Sequence, residues 1–358
     1  MAIERIAAQL MPEQRDTPLR VVAIGGGTGL SALLHGLKPF SYLRTGAAYT
    51  RGPLVDIAAV VTVTDDGGSS GRLRREFKVL PPGDIRNCMV ALSEDEALLS
   101  RLFQYRFASG RGLRGHSFGN LFLTALSHIT GDFAQAVKVS SEVLAIAGRI
   151  YPATAANVAL EAQLEDGTTV RGETRISRSR SRIRTVSLTE RCSPLAETLE
   201  AIAAADVITL GPGSLFTSVV PNLLVDGIPE AIANSRAVKA YFVNLMWQPR
   251  ETIGFTAADH VAAIYEHAGV KLIDYAIVNT RPIGEAMLKK YAAQHARPVE
   301  NDLERLRELG VTVIGRDLLL EGEKVRHSPE AVAAVALELA REGRRRRTAL
   351  PQVAAEAT

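Results

Sequence analysis

The chain has 358 residues, 46% hydrophobic and 23% charged, with a formal net charge of +3, which suits a globular core and is too mild to mark a nucleic-acid partner. No apolar run approaches the ~18 residues of a membrane span, and the opening "MAIERIAAQLMPEQRD" lacks the continuous apolar stretch of a signal peptide. Two cysteines, Cys88 and Cys192, form neither a disulfide framework nor a zinc spacing, so the expected setting is a reducing cytoplasm.

Residues 1–19 read as an N-terminal extension. "LRVVAIGGG" then reads as a buried parallel strand that stops on glycines. "TGLSALLHGL" follows as a helix, with Leu30, Leu33, Leu34 and Leu37 at i, i+3, i+4 and i+7. Pro39 to Pro53 is loop-like, and "VDIAAVVTVT" is a second strong strand. "PPGDIRNCMVAL" opens a helix. "HSFGNLFLTALSHI" opens another, with Phe118, Leu121, Phe122, Ala125, Leu126 and Ile129 on one stripe.

Between 152 and 190 the period changes. Alternation around Asp166-Gly167 predicts a β-hairpin insertion. Strands resume at "ADVITL", "VKAYFVN" and "LIDYAIVN", and helices at "NDLERLREL" and "SPEAVAAVALELARE", with Ser328 as N-cap and Pro329 at the first helical position. The basic runs "RISRSRSRIR" and "GRRRRTAL" lack interleaved aromatics and read as a solvated loop and tail. The expected organisation is a body at 20–343 containing the 152–190 insertion, and a basic flexible tail at 344–358. Strands that are apolar on both faces and alternate with helices predict an α/β fold: a doubly wound, mostly parallel, Rossmann-like sheet.

In such sheets ligands bind beyond the C-terminal ends of the strands. Those ends are polar or glycine-rich here. Gly25, Gly26, Gly27, Thr28 and Gly29 precede a helix, and Gly27, Gly29 and Ala32 fit the relaxed G-x-G-x-x-A dinucleotide turn, whose amides approach phosphate. "DDGGSSGRLR" offers Asp65 and Asp66 to a sugar hydroxyl or a metal, and Gly67, Gly68, Ser69 and Ser70 to phosphate oxygens; capping and solvated arginines are the bland alternative. Asp84 is a candidate N-cap for a helix from Ile85, with Arg86 and Asn87 in its first turn. His116 and Asn120 stand at the start of the next helix. Gly211, Pro212, Gly213 and Ser214 form a second glycine turn, with Ser214 as N-cap. Asn244 and Asn279 end later strands, and Arg326 and His327 lead into the last helix, within reach of a ligand or simply solvated. A nucleophile elbow, a paired-histidine zinc motif and a Walker A lysine are missing. The glycine turn alone would also suit an NAD(P) enzyme, but such an enzyme needs neither "DDGGSS" nor "GPGS".

In order, "IGGGTGLS", "VTVTDDGGSSGRLR", "PPGDIRN", "LFQYRF", "GHSFGNLFL", "ITGDF", "DVITLGPGSLFTSVVPNLLV" and "NLMWQPRET" resemble the YvcK branch of the YvcK/CofD family, also called the gluconeogenesis factor family. The resemblance spans about 20–342. It implies a Rossmann-like cytoplasmic bacterial protein that binds a uridine nucleotide sugar, UDP-N-acetylglucosamine in particular, with links to gluconeogenic growth, cell shape and peptidoglycan precursor supply. It implies regulation through a protein partner, with no cofactor required; a homo-oligomer would suit such a role. The alternative is a CofD-like transferase that moves phospholactate from a nucleotide-activated donor with magnesium; there Asp65 matches the acid that serves the metal. One departure is Arg250, where the family usually has glycine in "QPGET". Either that turn differs, or Arg250 adds a cation near the site.

Overall fold

A computed structural model describes residues 17–41, 54–93, 98–179 and 181–349. The expectations for 1–16, for 42–53 and for the tail from 350 lie outside the described residues. The first half holds β1 (Leu19–Gly25), α1 (Gly27–Ser41), β2 (Val55–Val61), α2 (Gly68–Phe77), α3 (Gly83–Leu92), α4 (Leu99–Gln104), α5 (Phe118–Thr130), α6 (Phe133–Val143) and β3 (Arg149–Pro152). The insertion holds β4 (Leu160–Leu164), β5 (Thr169–Arg171), α7 (Glu173–Ile176) and β6 (Ile183–Leu188). Then come α8 (Ala196–Ala204), β7 (Val207–Leu210), a π turn (Leu215–Val219), α9 (Val220–Leu223), α10 (Ile228–Asn234), β8 (Val238–Phe242), α11 (Ala257–Ala268) and β9 (Tyr275–Asn279). The chain continues through α12 (Glu285–Ala292), α13 (Leu303–Glu308), β10 (Thr312–Arg316), β11 (Leu319–Glu321), β12 (Val325–His327) and α14 (Pro329–Ala349).

Seven strands form one sheet in the order β10-β9-β8-β7-β1-β2-β3, and every pair in it is parallel. Alternation along β1 explains why helices cover both faces. Val21 and Ala23 join one core with Leu30, Leu33, Leu34 and Leu37 of α1; Val22 and Ile24 join the other with Ile202, Leu215 and Val261. Each fully buried leucine contributes about 1.5–3 kcal/mol. From β1 the chain builds outward through β2 and β3, then returns to the other side of β1 at β7. That reversal is a topological switch point, where the strand ends splay and leave a crevice.

The insertion is a three-stranded antiparallel sheet, β5-β4-β6, with Gly167 in the predicted turn at φ 81. Two sequence expectations change. The basic run is helical through Ala349, and Arg344 and Arg347 turn back onto the fully buried Asp206 at 2.6 and 2.8 Å, so over 344–349 it is not a solvated tail. Gly343 permits this approach, because a Cβ there would lie 1.8 Å from the Asp206 carbonyl oxygen. In α5 the buried residues are Gly119, Asn120, Leu123 and Thr124, while Ile129 is exposed. The predicted stripe fails because the inward face of α5 meets the hydroxyl of Ser70, and its aromatics Phe118 and Phe122 instead cover Phe103.

Candidate functional site

Two glycine turns meet at the switch point. β1 ends on Gly25, and α1 starts at Gly27 with φ 62, a left-handed conformation that glycine adopts without strain. Gly29 lies against the second turn so closely that a Cβ would sit 2.3 Å from the Pro212 carbonyl oxygen. Together they floor a crevice of about 620 Å³. Gly26, Gly27, Thr28, Gly29, Pro212, Gly213, Ser214, Asn244 and Arg326 all line it, while Gly25 and Gly211 stand behind the lining.

The wall around Ser214 is a hydrogen-bonded set. Ser214 does not cap the π turn with its side chain; its hydroxyl donates to Glu251 at 2.5 Å and accepts from Thr217 at 2.8 Å. Ser177 from the insertion donates to the other Glu251 oxygen at 3.2 Å. Burial raises the Glu251 carboxyl above its usual range, and the two serine hydroxyls partly offset this. Gln248 Oε1 accepts from the Asn244 amide at 3.1 Å and the Leu215 N–H at 3.4 Å; Asn244 Oδ1 is buried with no partner. Arg250 takes a left-handed φ of 71, with its guanidinium on the Arg178 carbonyl at 3.4 Å; it is exposed and does not line the crevice. The far rim is the β11–β12 hairpin, where His327 bonds the Val243 carbonyl at 3.2 Å and burial pushes its pKa down to about 4.

The acids form a second group behind the first glycine turn. Asp84 does not cap α3, whose N-cap is Pro82; its carboxylate accepts from the Gly27 N–H. It sits so near Gly26 that a Cβ there would be 2.7 Å away. Burial, then repulsion from Asp65, pushes Asp84 up to about 7. Asp65 accepts from the Gly67 N–H at 2.8 Å and from Ser70, and burial raises it too. Asp66 faces the insertion and accepts from the Thr174 N–H at 2.8 Å, so it anchors α7. Gly68 opens α2 at φ 45.

Ser69 bonds His116 Nδ1 at 2.9 Å, and Asn120 donates to Ser70 at 3.3 Å while its Oδ1 is buried without a partner. Asn87 accepts from Arg86, and Asn279 bonds the Arg281 backbone and the Leu318 N–H; neither asparagine lines the crevice. Arg74 donates to the Val158 carbonyl and Arg72 to that of Arg114. Among the described residues no three His, Cys, Asp or Glu side chains gather to hold a metal ion. Asp65 accepts from the Gly67 N–H and the Ser70 hydroxyl and keeps acceptor sites on its carboxylate, so Asp65 with Asp84 beside it would offer one or two carboxylates to the cation that the transferase alternative implies.

Sequence reasoning missed Glu173, which stands on the crevice wall from α7. Loss of solvent around its carboxyl, then repulsion from Asp65, Asp84 and Glu251, raises it well above the usual range. It also missed the lining by Ser177, Trp247, Gln248, Glu251 and Tyr291. Gln248 and Glu251 lay in the quoted "QPRET" motif; Glu173 had no signal, because its stretch read as alternating strand.

Two glycine turns apposed across the switch point of a parallel sheet define a Rossmann-like α/β protein with a crevice built of backbone amides and short polar side chains. The family model described as "2-phospho-L-lactate transferase CofD" matches residues 21–319. The gluconeogenesis factor of Halalkalibacterium halodurans is 49% identical over 320 residues, covering 89% of this chain and 95% of that protein. The gluconeogenesis factor of Bacillus subtilis is 47% identical over 326 residues, covering 90% and 98%. A crystal structure of a Bacillus halodurans protein superposes with a TM-score of 0.84 at 48% identity, covering 90% of this chain and all of that one. The chain belongs to the CofD family, on the branch of the gluconeogenesis factors.

Proposed function

We propose that this protein binds a uridine nucleotide sugar of the UDP-N-acetylglucosamine type in the switch-point crevice and acts as a cytoplasmic regulator of gluconeogenic growth, cell shape and cell-wall precursor supply. The observation that carries this reading is the apposition of Gly27 and Gly29 with Gly213 across one crevice of about 620 Å³. Glycine turns let backbone N–H groups reach phosphate oxygens, and the N-terminus of α1 adds partial positive charge. The crevice volume lies within the usual range for small-molecule sites. Asn244, Gln248 and Glu173 offer partners for sugar and base. The gluconeogenic part of the reading draws on relatives named gluconeogenesis factors.

A second reading, a transferase of the phospholactate type, draws on the acid pair Asp65 and Asp84 beside the glycine turn and on the description of the family model. Calorimetry with UDP-N-acetylglucosamine, GDP and NAD distinguishes them. The first reading predicts a micromolar affinity for the uridine sugar, about −8 kcal/mol. No heat with any uridine nucleotide overturns it. Magnesium-dependent consumption of a nucleotide donor selects the second.

A further inference from the structure

The crevice has two unlike ends. Beneath β1 and β7 its lining is glycine and short hydroxyl side chains; toward β8 and β9 it is Leu245, Met246, Trp247, Tyr291, Leu320 and Val325. Two aromatic rings flank that second end from opposite faces of the sheet, since Tyr291 packs against the first core and Trp247 against the other. Backbone groups already engage their polar atoms. The Trp247 indole N–H donates to the Phe255 carbonyl at 2.9 Å, and the Tyr291 hydroxyl accepts from the Val325 N–H at 3.1 Å. What is left for the crevice is ring surface. Leu320, on the β11–β12 hairpin above, is 49% exposed. Large apolar groups left open at one end of a polar crevice suit a ligand that brings an apolar face.

Sheet order sets which part of a nucleotide meets these rings. The glycine turns offer their amides to phosphate between β1 and β7. In the order β9-β8-β7-β1, the gap between β8 and β9 lies two strand spacings from there, about 10 Å, which leaves a ribose between phosphate and ring. The other end is different in kind. Asp66, after β2, anchors α7, and Glu173 of that helix lines the crevice with Asp65 and Asp84 as charged neighbours. Carboxyl groups there suit sugar hydroxyls and give an aromatic base nothing to stack on.

We infer that a bound nucleotide lays its base on the rings of Trp247 and Tyr291, beneath Leu320 of the β11–β12 hairpin, and directs its sugar toward Glu173. The inference rests on nucleotide binding in the crevice, which both functional readings share. Stacking tolerates any base, so it serves uridine and guanosine alike. Trp247 is the chain's one tryptophan, so its fluorescence reports the base directly and needs no variant. The full chain is titrated with UDP-N-acetylglucosamine and with GDP, followed by tryptophan emission and by calorimetry. The nucleotide that gives heat is expected to quench the emission with the same Kd. Tyr291→Leu is expected to raise that Kd roughly tenfold, the loss of one base–aromatic stack, and Tyr291→Phe to restore it. Heat with no change in emission, or a Tyr291→Leu Kd equal to wild type, overturns the inference and leaves the ligand reading standing. A Tyr291→Phe protein as weak as Tyr291→Leu would assign the loss to the bond with Val325 and overturns it too. No heat with either nucleotide overturns the ligand reading and this inference with it.

Discussion

Replacing Gly29 by alanine separates the two glycine turns. The new Cβ would lie 2.3 Å from the Pro212 carbonyl oxygen, 2.6 Å from its carbon and 2.9 Å from the Gly213 nitrogen. Non-bonded carbon and oxygen settle at roughly 3.3–3.6 Å, so the turns must part by about 1 Å. All three neighbours are backbone atoms, which cannot rotate away. Overpacking of this kind costs about 1–3 kcal/mol of stability. Its effect on a ligand is separate. An amide-to-phosphate bond stretched by about 1 Å is lost, at about 1.5–3 kcal/mol, or roughly ten- to hundredfold in Kd. Gly27→Ala is the control: its Cβ meets only the Ser218 hydroxyl at 3.5 Å, so its cost is the φ of 62, about 1–2 kcal/mol. Urea unfolding reads stability, and calorimetry with UDP-N-acetylglucosamine reads affinity. A Gly29→Ala protein that unfolds like wild type and binds with unchanged Kd would refute the claim that the two turns form one site.

Other substitutions test the electrostatics and the backbone. Asp206→Ala leaves Arg344 and Arg347 without their shared buried partner, and the urea midpoint should fall by the equivalent of about 3–5 kcal/mol; a loss below about 1 kcal/mol contradicts the clamp. Asp84 titrates at 3.8 unfolded and at about 7 folded, so its stabilising contribution is full below pH 3.8 and is lost as pH rises through about 7. Asp84→Asn, which stays neutral, should therefore gain stability relative to wild type across that window, by up to about 1.4 kcal/mol per pH unit; a constant difference between the two pH profiles contradicts the shift. Arg250→Gly removes a left-handed arginine at φ 71 and should raise stability by about 1 kcal/mol in urea; a comparable loss would mean that its bond to the Arg178 carbonyl outweighs the strain.

What could be read from sequence followed how local the cause was. The glycine turn before Leu30 and the strands β1, β2, β7, β8 and β9 were legible because apolar runs and strand-end chemistry lie within a few residues of each other. Strand β3 was not, because its pairing partner β2 is remote in sequence, and the β11–β12 hairpin was not, because strands of 3 residues are too short to show alternation. Asp84 looked like a cap because its neighbours have helix-start chemistry, yet its carboxylate crosses to Gly27, an approach that only the tertiary fold creates. Asp66 sat beside Asp65 in sequence and was paired with it in function; in the loop after β2 its carboxylate instead accepts from the Thr174 N–H. Arg344 and Arg347 read as solvated because nothing near them in sequence announces a buried carboxylate more than 130 residues earlier, at Asp206. Arg250 left open whether the turn changes or a cation enters the site. Arg250 adopts the left-handed φ of 71 that glycine takes readily, and its guanidinium lies outside the crevice lining.

The most direct test of the central claim is a crystal structure with UDP-N-acetylglucosamine. The diphosphate is expected against the amides of Gly27–Gly29 and Gly213, between β1 and β7. A diphosphate bound elsewhere, for example in the cavity beside β3 lined by Lys138, Arg149 and Tyr151, would contradict it.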